Sequence, residues 1–230
     1  MNWRVVDIFK SVQGEGFYMG RPCVFVRFAG CNLCCPWCDT PDALDDKAGK
    51  EYTTPELLLA ILNADGLTPR IREDSLEAPY VVFTGGEPLI QINRNDDWKS
   101  LAKALNVNSY TIGVETNGTL PIPSDIDWVC VSPKRQSDYE VNSSSRYKID
   151  EIKIVADEPV DVIRACRSIN KQLGDDVRFT IQPLDRKGDP NINANPDMDI
   201  EGAYKVVKAL EKDGITAYLG LQAHKVWRIK

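Results

Sequence analysis

The stretch Gly30 to Thr40, GCNLCCPWCDT, sets four thiols, Cys31, Cys34, Cys35 and Cys38, within eight residues. Two pairs, Cys31-x2-Cys34 and Cys35-x2-Cys38, could serve a structural zinc site. Zinc knuckles ordinarily stand about 12–20 residues apart so that both can wrap one tetrahedral ion. Here the second pair begins at the next residue, which would strain the chain, so zinc stays a secondary reading. A ferredoxin run C-x2-C-x2-C would need cysteine at 37, where Trp37 stands. The remaining spacing, Cys31-x3-Cys35-x2-Cys38, omits Cys34. Three thiolates on a cubane iron–sulfur cluster leave one iron open, and an open position is what separates a catalytic metal site from a closed structural one.

Outward from this loop, short apolar runs recur: RVVDIF, CVFVRFA, YVVFTG, SYTIGVET, DWVCVSP, EIKIVA, VRFTIQP and AYLGLQ. Most are almost continuously apolar, as strands buried on both faces are. Helical patterns lie between some of them. Thr54-Pro55-Glu56 opens a helix that Gly66 closes, and further helices are expected around Asp97–Leu105, Pro159–Leu173 and Ile200–Lys212. The alternation predicts a largely parallel α/β protein. Helices run short of strands, because NGTLPIPSDI between two of the runs is too short for a crossover helix. The polar segment RQSDYEVNSSSRYKID reads as an exposed loop. A partial, incomplete α/β barrel is therefore expected, as a single domain over 1–230 with no internal repeat. Polar motifs close five of the runs: TGGEP, ETNG, SPK, QP and QAHK. Functional residues in such barrels gather at the C-terminal strand edge.

The composition is that of an ordinary globular chain, 43% hydrophobic and 27% charged. Its net charge of −6 gives no electrostatic reason to expect nucleic acid. No apolar run has the length of a membrane span, and MNWRVVDIF lacks the apolar core of a signal peptide. A small-molecule substrate and a cytoplasmic setting are expected. Seven cysteines is an odd number, unevenly placed, which suits metal-binding thiols better than a disulfide framework. Cys23, Cys130 and Cys166 sit in apolar runs and read as core.

A second motif, Thr84-Gly85-Gly86-Glu87-Pro88, follows a strand-like run downstream of the cysteines. Taken alone it is a tight turn that uses two glycines. Together, CxxxCxxC with Trp37 before the last cysteine and GGEP resemble the radical S-adenosylmethionine enzymes. Rival cofactor fingerprints are absent, since GEG at 14–16 continues to Met19 rather than glycine and no GxxxxGK occurs. FKSVQGEGFYMGRP, FVRFAGCNL, CDT, TGGEP, ETNG, VSPK, EIKIV, QP and QAHK, kept in that order, closely resemble the 7-carboxy-7-deazaguanine synthase family of 7-deazapurine (queuosine) biosynthesis.

The resemblance implies a partial TIM-like radical barrel with a [4Fe-4S] cluster on Cys31, Cys35 and Cys38, with Cys34 a bystander. It implies that a 5′-deoxyadenosyl radical takes hydrogen from C6 of 6-carboxy-5,6,7,8-tetrahydropterin. Ring contraction and loss of ammonia then give 7-carboxy-7-deazaguanine. It further implies that S-adenosylmethionine is lined by Trp37, Cys38, Asp39, Gly86, Ser132, Pro133, Lys134 and Gln182, Pro183, Leu184 and Asp185. The pterin would meet Val12, Gln13, Gly14, Arg27, Thr84 and His224, and the terminal carboxylate of Lys230. Magnesium would take the Thr40 hydroxyl, consistent with a preference for few protein oxygens. Arg27 also makes independent sense, since a guanidinium grips a carboxylate as a fork. A flavodoxin-like electron donor and a homodimer are implied as partners. Cys34 and the final lysine depart from the family pattern. The competing readings are another radical enzyme, such as a glycyl-radical-enzyme activase, and a non-catalytic zinc protein.

Overall fold

The computed structural model describes residues 2–66, 78–174, 177–186 and 197–229, without the side chains of 145–147. In chain order the elements are β1 (Trp3–Val12), β2 (Pro22–Phe28), β3 (Lys50–Tyr52), α1 (Thr54–Asp65), β4 (Tyr80–Gly85), α2 (Pro88–Arg94) and α3 (Trp98–Val107). There follow β5 (Thr111–Thr116), β6 (Trp128–Val131), β7 (Glu151–Val155), α4 (Pro159–Leu173), β8 (Arg178–Gln182), α5 (Ile200–Lys212), β9 (Ala217–Leu219) and α6 (Ala223–Trp227). Among the described residues one sheet holds all nine strands, in the order β3-β1-β2-β4-β5-β6-β7-β8-β9. From β2 to β9 every pairing is parallel, and β1 joins β2 and β3 antiparallel. The edges β3 and β9 do not meet, so the barrel is partial, as expected. No helix among the described residues is long and apolar enough to cross a membrane.

Local chemistry sets the element ends. Thr53 and Glu56 form a capping box at the start of α1, the Thr53 N–H donating to Glu56 Oε2 at 2.8 Å, and Gly66 closes the helix at φ +75°. Prolines open α2 and α4 at their first turns. The segment expected as a loop is less open than its composition suggests. It makes two short 3-10 turns, Arg135–Ser137 and Ser143–Lys148, and buries Tyr139 and Val141.

The strands alternate more strictly than their apolar runs suggest. Val24, Val81, Ile112, Val129, Ile152 and Phe179 and their i+2 neighbours form one core with the helices. The registers of the parallel pairs place Arg27 beside Thr84, Glu115 beside Cys130, Lys153 beside Thr180 and Val155 beside Gln182, all on the other face. That inner face is covered by the loop between β1 and β2. Phe17 stacks on Trp128 with centroids 5.0 Å apart, and Tyr18 meets the same ring edge-on at 4.6 Å. The Arg178 guanidinium lies 4.9 Å from the Phe17 ring centroid. The Phe17 N–H donates to Glu151 Oε2 at 3.0 Å. A Cβ at Gly16, which has φ +68°, would fall 2.7 Å from Glu151 Oε2. The aromatic plug thus fixes the Gln13–Gly16 segment inside the half-barrel.

Candidate active site

At the end of β4 two glycines let the strand close on the base of the cysteine loop. A Cβ on Gly85 would fall 2.2 Å from the Phe28 carbonyl oxygen, and one on Gly86 would fall 2.2 Å from that of Gly30. In that space the Gly86 N–H donates to Phe28 O at 3.1 Å and the Glu87 N–H to Gly30 O at 2.7 Å. Glu87 is fully buried. It accepts from the Leu89 N–H at 3.0 Å, the Thr116 hydroxyl at 2.7 Å and the Asn117 N–H at 2.7 Å. Burial drives its carboxyl above the ordinary range against the pull of those donors. The GGEP turn is therefore a knot joining the cysteine loop, α2 and the end of β5.

Cys31, Cys35 and Cys38 line one cavity of about 170 Å³. Cys34 is exposed and is not on that lining, while Cys23, Cys130 and Cys166 are buried in the body of the protein. Burial raises the Cys31 thiol and carries that of Cys35 up to about 11, so metal capture must displace their protons. Among the described residues no three His, Cys, Asp or Glu side chains converge on a single ion. Three thiols on one wall instead fit a cluster in which separate irons each take one thiolate.

The same cavity is lined by Trp37, Asp39, Gly86, Ser132, Lys134, Gln182, Pro183, Leu184 and Asp185. Of the expected cofactor set only Pro133, which is buried, lies off the lining. Lys134 Nζ sits 2.5 Å from Ser132 Oγ and 5.0 Å from the Trp37 ring centroid, and desolvation lowers its pKa. Gln182 is 1% exposed, and among the described residues neither its amide nitrogen nor its oxygen has a hydrogen-bond partner. A buried, unsatisfied amide on the cavity wall fits a polar ligand such as S-adenosylmethionine.

A second cavity, of about 120 Å³, adjoins the first and is lined by Val12, Gln13, Gly14, Arg27, Thr84 and His224. The two share Glu15, Asp39, Thr40, Thr84, Gly85 and Glu115 as a common wall. Arg27 projects from the inner face of β2, its guanidinium 5.4 Å from the Phe9 ring centroid. Thr40 Oγ1 lies 3.9 Å from Cys38 Sγ and donates to Gly85 O at 3.4 Å. The QAHK segment stitches this wall to the N-terminal loop. Gln222 Nε2 donates to Glu15 Oε1 at 2.9 Å, and the Ala223 N–H donates to Gly14 O at 2.9 Å. His224 packs so closely that a Cβ on Gly14 would fall 2.4 Å from Nδ1. Lys225 Nζ pairs with Asp185 Oδ2 at 2.9 Å. Lys230 lies outside the described residues.

Sequence reading quoted Glu15, Glu115, Lys153, Gln222 and Lys225 within motifs but gave none of them a role. Lys153, 5% exposed, places Nζ 2.7 Å from Glu15 Oε2 and 3.1 Å from Glu115 Oε1. Burial alone would raise the Glu15 carboxyl, but Lys153 and His224 outweigh it and hold the group at about 2. The available signal was a lysine interrupting the apolar run EIKIVA and an acid ending TIGVE.

The sequence profile of the Radical SAM superfamily matches residues 25–130. The 7-carboxy-7-deazaguanine synthase of Caulobacter vibrioides is 33% identical over 212 residues, covering 87% of this chain and 90% of that one. That of Bradyrhizobium diazoefficiens is 35% identical over 197 residues, covering 80% of this chain and 84% of the relative. The crystal structure of QueE from Escherichia coli superposes with a TM-score of 0.68 at 25% identity, over 97% of this chain and 95% of that one. With the cysteine register, the GGEP knot and this extent of likeness together, the chain belongs to the 7-carboxy-7-deazaguanine synthase family of radical S-adenosylmethionine enzymes.

Proposed function

We propose that the enzyme converts 6-carboxy-5,6,7,8-tetrahydropterin to 7-carboxy-7-deazaguanine with release of ammonia. The observation that carries this reading is the pair of adjoining cavities, one faced by three thiols and the other by Arg27, Gln13 and His224. When bound, the cluster and S-adenosylmethionine would supply the radical chemistry for hydrogen abstraction. The protein's own part is positioning. Arg27 grips the substrate carboxylate as a fork, while Val12, Gln13, Gly14, Thr84 and His224 line the ring. Trp37, Asp39, Gly86, Ser132, Lys134 and the Gln182–Asp185 segment would hold S-adenosylmethionine, with Cys31, Cys35 and Cys38 on the cluster. The Thr40 hydroxyl, on the shared wall, would hold magnesium, an ion that suits few protein oxygens.

In this reading residues 1–230 act as one radical SAM domain, in the cytoplasm, as a homodimer reduced by a flavodoxin-like donor. The test is an anaerobic assay with reductant, S-adenosylmethionine, magnesium and the carboxypterin. Expected are 7-carboxy-7-deazaguanine and an equal amount of ammonia, with S-adenosylmethionine regenerated. Intact cluster with no pterin binding and no deazapurine would refute the assignment and favour an activase acting on a protein.

A further inference from the structure

The buried Lys153 and its two half-buried partners Glu15 and Glu115 have no role in the scheme above. They sit where the two cavities meet, both carboxylates facing both spaces and Lys153 reaching the first. The three come from separate parts of the fold: the β1–β2 loop, the end of β5 and the middle of β7. An ammonium this deeply buried is tolerated only when paired, and here it bridges two acids. Their formal charges leave one negative charge in excess on the shared wall.

The acceptor inventory shows where that excess points. Glu15 Oε1 accepts from Gln222 Nε2 at 2.9 Å, and Oε2 takes Lys153. Glu115 Oε1 takes both Lys153, at 3.1 Å, and Gln13 Nε2, at 2.9 Å. Among the described residues no donor reaches Glu115 Oε2, although an ionised carboxylate has lone pairs on both oxygens. An open, charged acceptor on a cavity wall calls for a ligand N–H.

We infer that Lys153 is a positioning residue that fixes Glu15 and Glu115 as acceptors for the ring N–H groups of the reduced heterocycle. This rests on the pterin reading. The reduced ring carries N–H at N5, next to the carbon that loses hydrogen, and at N8 on the far side of its saturated half, and the fully oxidised ring carries neither. The wall between the cavities is the place where that half must lie for the two ligands to meet. The pair therefore distinguishes the oxidation state of the substrate: a tetrahydropterin offers donors to the carboxylates, and an oxidised pterin sets ring-nitrogen lone pairs against them. The low pKa of Glu15, held at about 2 against burial by Lys153 and His224, keeps that group an acceptor through the neutral range.

The test compares binding of 6-carboxy-5,6,7,8-tetrahydropterin and oxidised 6-carboxypterin by anaerobic calorimetry on cluster-loaded protein. The wild type should prefer the reduced form by about 10- to 100-fold, the worth of a charge-assisted hydrogen bond. Lys153→Met should erase most of that preference while leaving the oxidised form bound as before, and Lys153→Arg should restore part of it. If Lys153→Met does not fold, Glu115→Gln, which keeps the Lys153–Glu15 pair, should show the same loss. Equal affinity of the wild type for both forms overturns the inference, as does a parallel loss for both forms in the variants. Failure of the wild type to turn over the tetrahydropterin at all would instead sink the functional reading.

Discussion

Truncating Glu87 tests whether the GGEP turn is held by its acid. Glu87→Ala strands three donors that now end on one carboxylate: the Leu89 N–H, the Thr116 hydroxyl and the Asn117 N–H. Losing the α2 cap costs about 1 kcal/mol. Leaving the other two donors unpaired in a fully buried spot costs about 1–3 kcal/mol each. These sum to about 3–7 kcal/mol, and the return from no longer burying a carboxylate brings the net to about 4 kcal/mol. Glu87→Gln keeps the oxygen that serves Leu89 and Thr116 and turns an NH2 against the Asn117 N–H, so about half of that is expected. Urea unfolding of cluster-free protein reads both, and at a slope near 3 kcal/mol per M the alanine variant should lose about 1.3 M at the midpoint. A midpoint shift under about 0.3 M for Glu87→Ala would refute the reasoning. It would mean that β5 and the cysteine loop are held by the glycine contacts alone.

The remaining expectations concern the site. Cys35→Ala should lose iron, sulfide and colour after anaerobic reconstitution while Cys34→Ala keeps them, and equal loss in both would replace three ligands by four. Thr40→Ala should raise the magnesium concentration needed for half-maximal turnover with iron content unchanged; an unaltered magnesium dependence removes Thr40 from the metal. Glu15, held at about 2 rather than 4.5, contributes stability that is present above about pH 4.5 and lost as pH falls toward 2. That contribution is about 3 kcal/mol, so acid unfolding of Glu15→Gln should lack this limb, and an identical acid profile would show that Lys153 does not depend on Glu15.

Much of the scaffold was legible because its signals are local. Pro159–Leu173 and Ile200–Lys212 match helices to the residue, and Thr54 to Gly66 carries its own start and stop. All eight apolar runs became strands. The three-residue β3 escaped because its Lys-Glu-Tyr has no pattern and exists only by pairing with β1. The short α2 was hidden behind the turn that precedes it, although a proline in its first turn marked it. The thiols and the glycines declare themselves by spacing, but Glu15, Glu115 and Lys153 do not. A charged residue in a strand reads as a solvent-facing one. It becomes an interior residue only once partners 38 to 138 residues away stand on one inner face, and no short window of sequence contains that fact.

The hydrogen bond from Gln222 to Glu15 joins positions 207 residues apart, and the Ala223 N–H meets Gly14 at a similar separation. The three thiols, by contrast, lie within one short loop. On a growing chain the two halves of the centre therefore mature at different times. The cluster loop and the β4 turn that braces it can assemble once residue 117 has emerged, when Thr116 and Asn117 reach Glu87. The back wall of the substrate chamber must wait until residues 222–225 are made, and closing so long a loop is slow although its entropy grows only logarithmically with length. During that interval the cavity faced by the thiols lacks the part of its wall that Gln222 and Lys225 later supply.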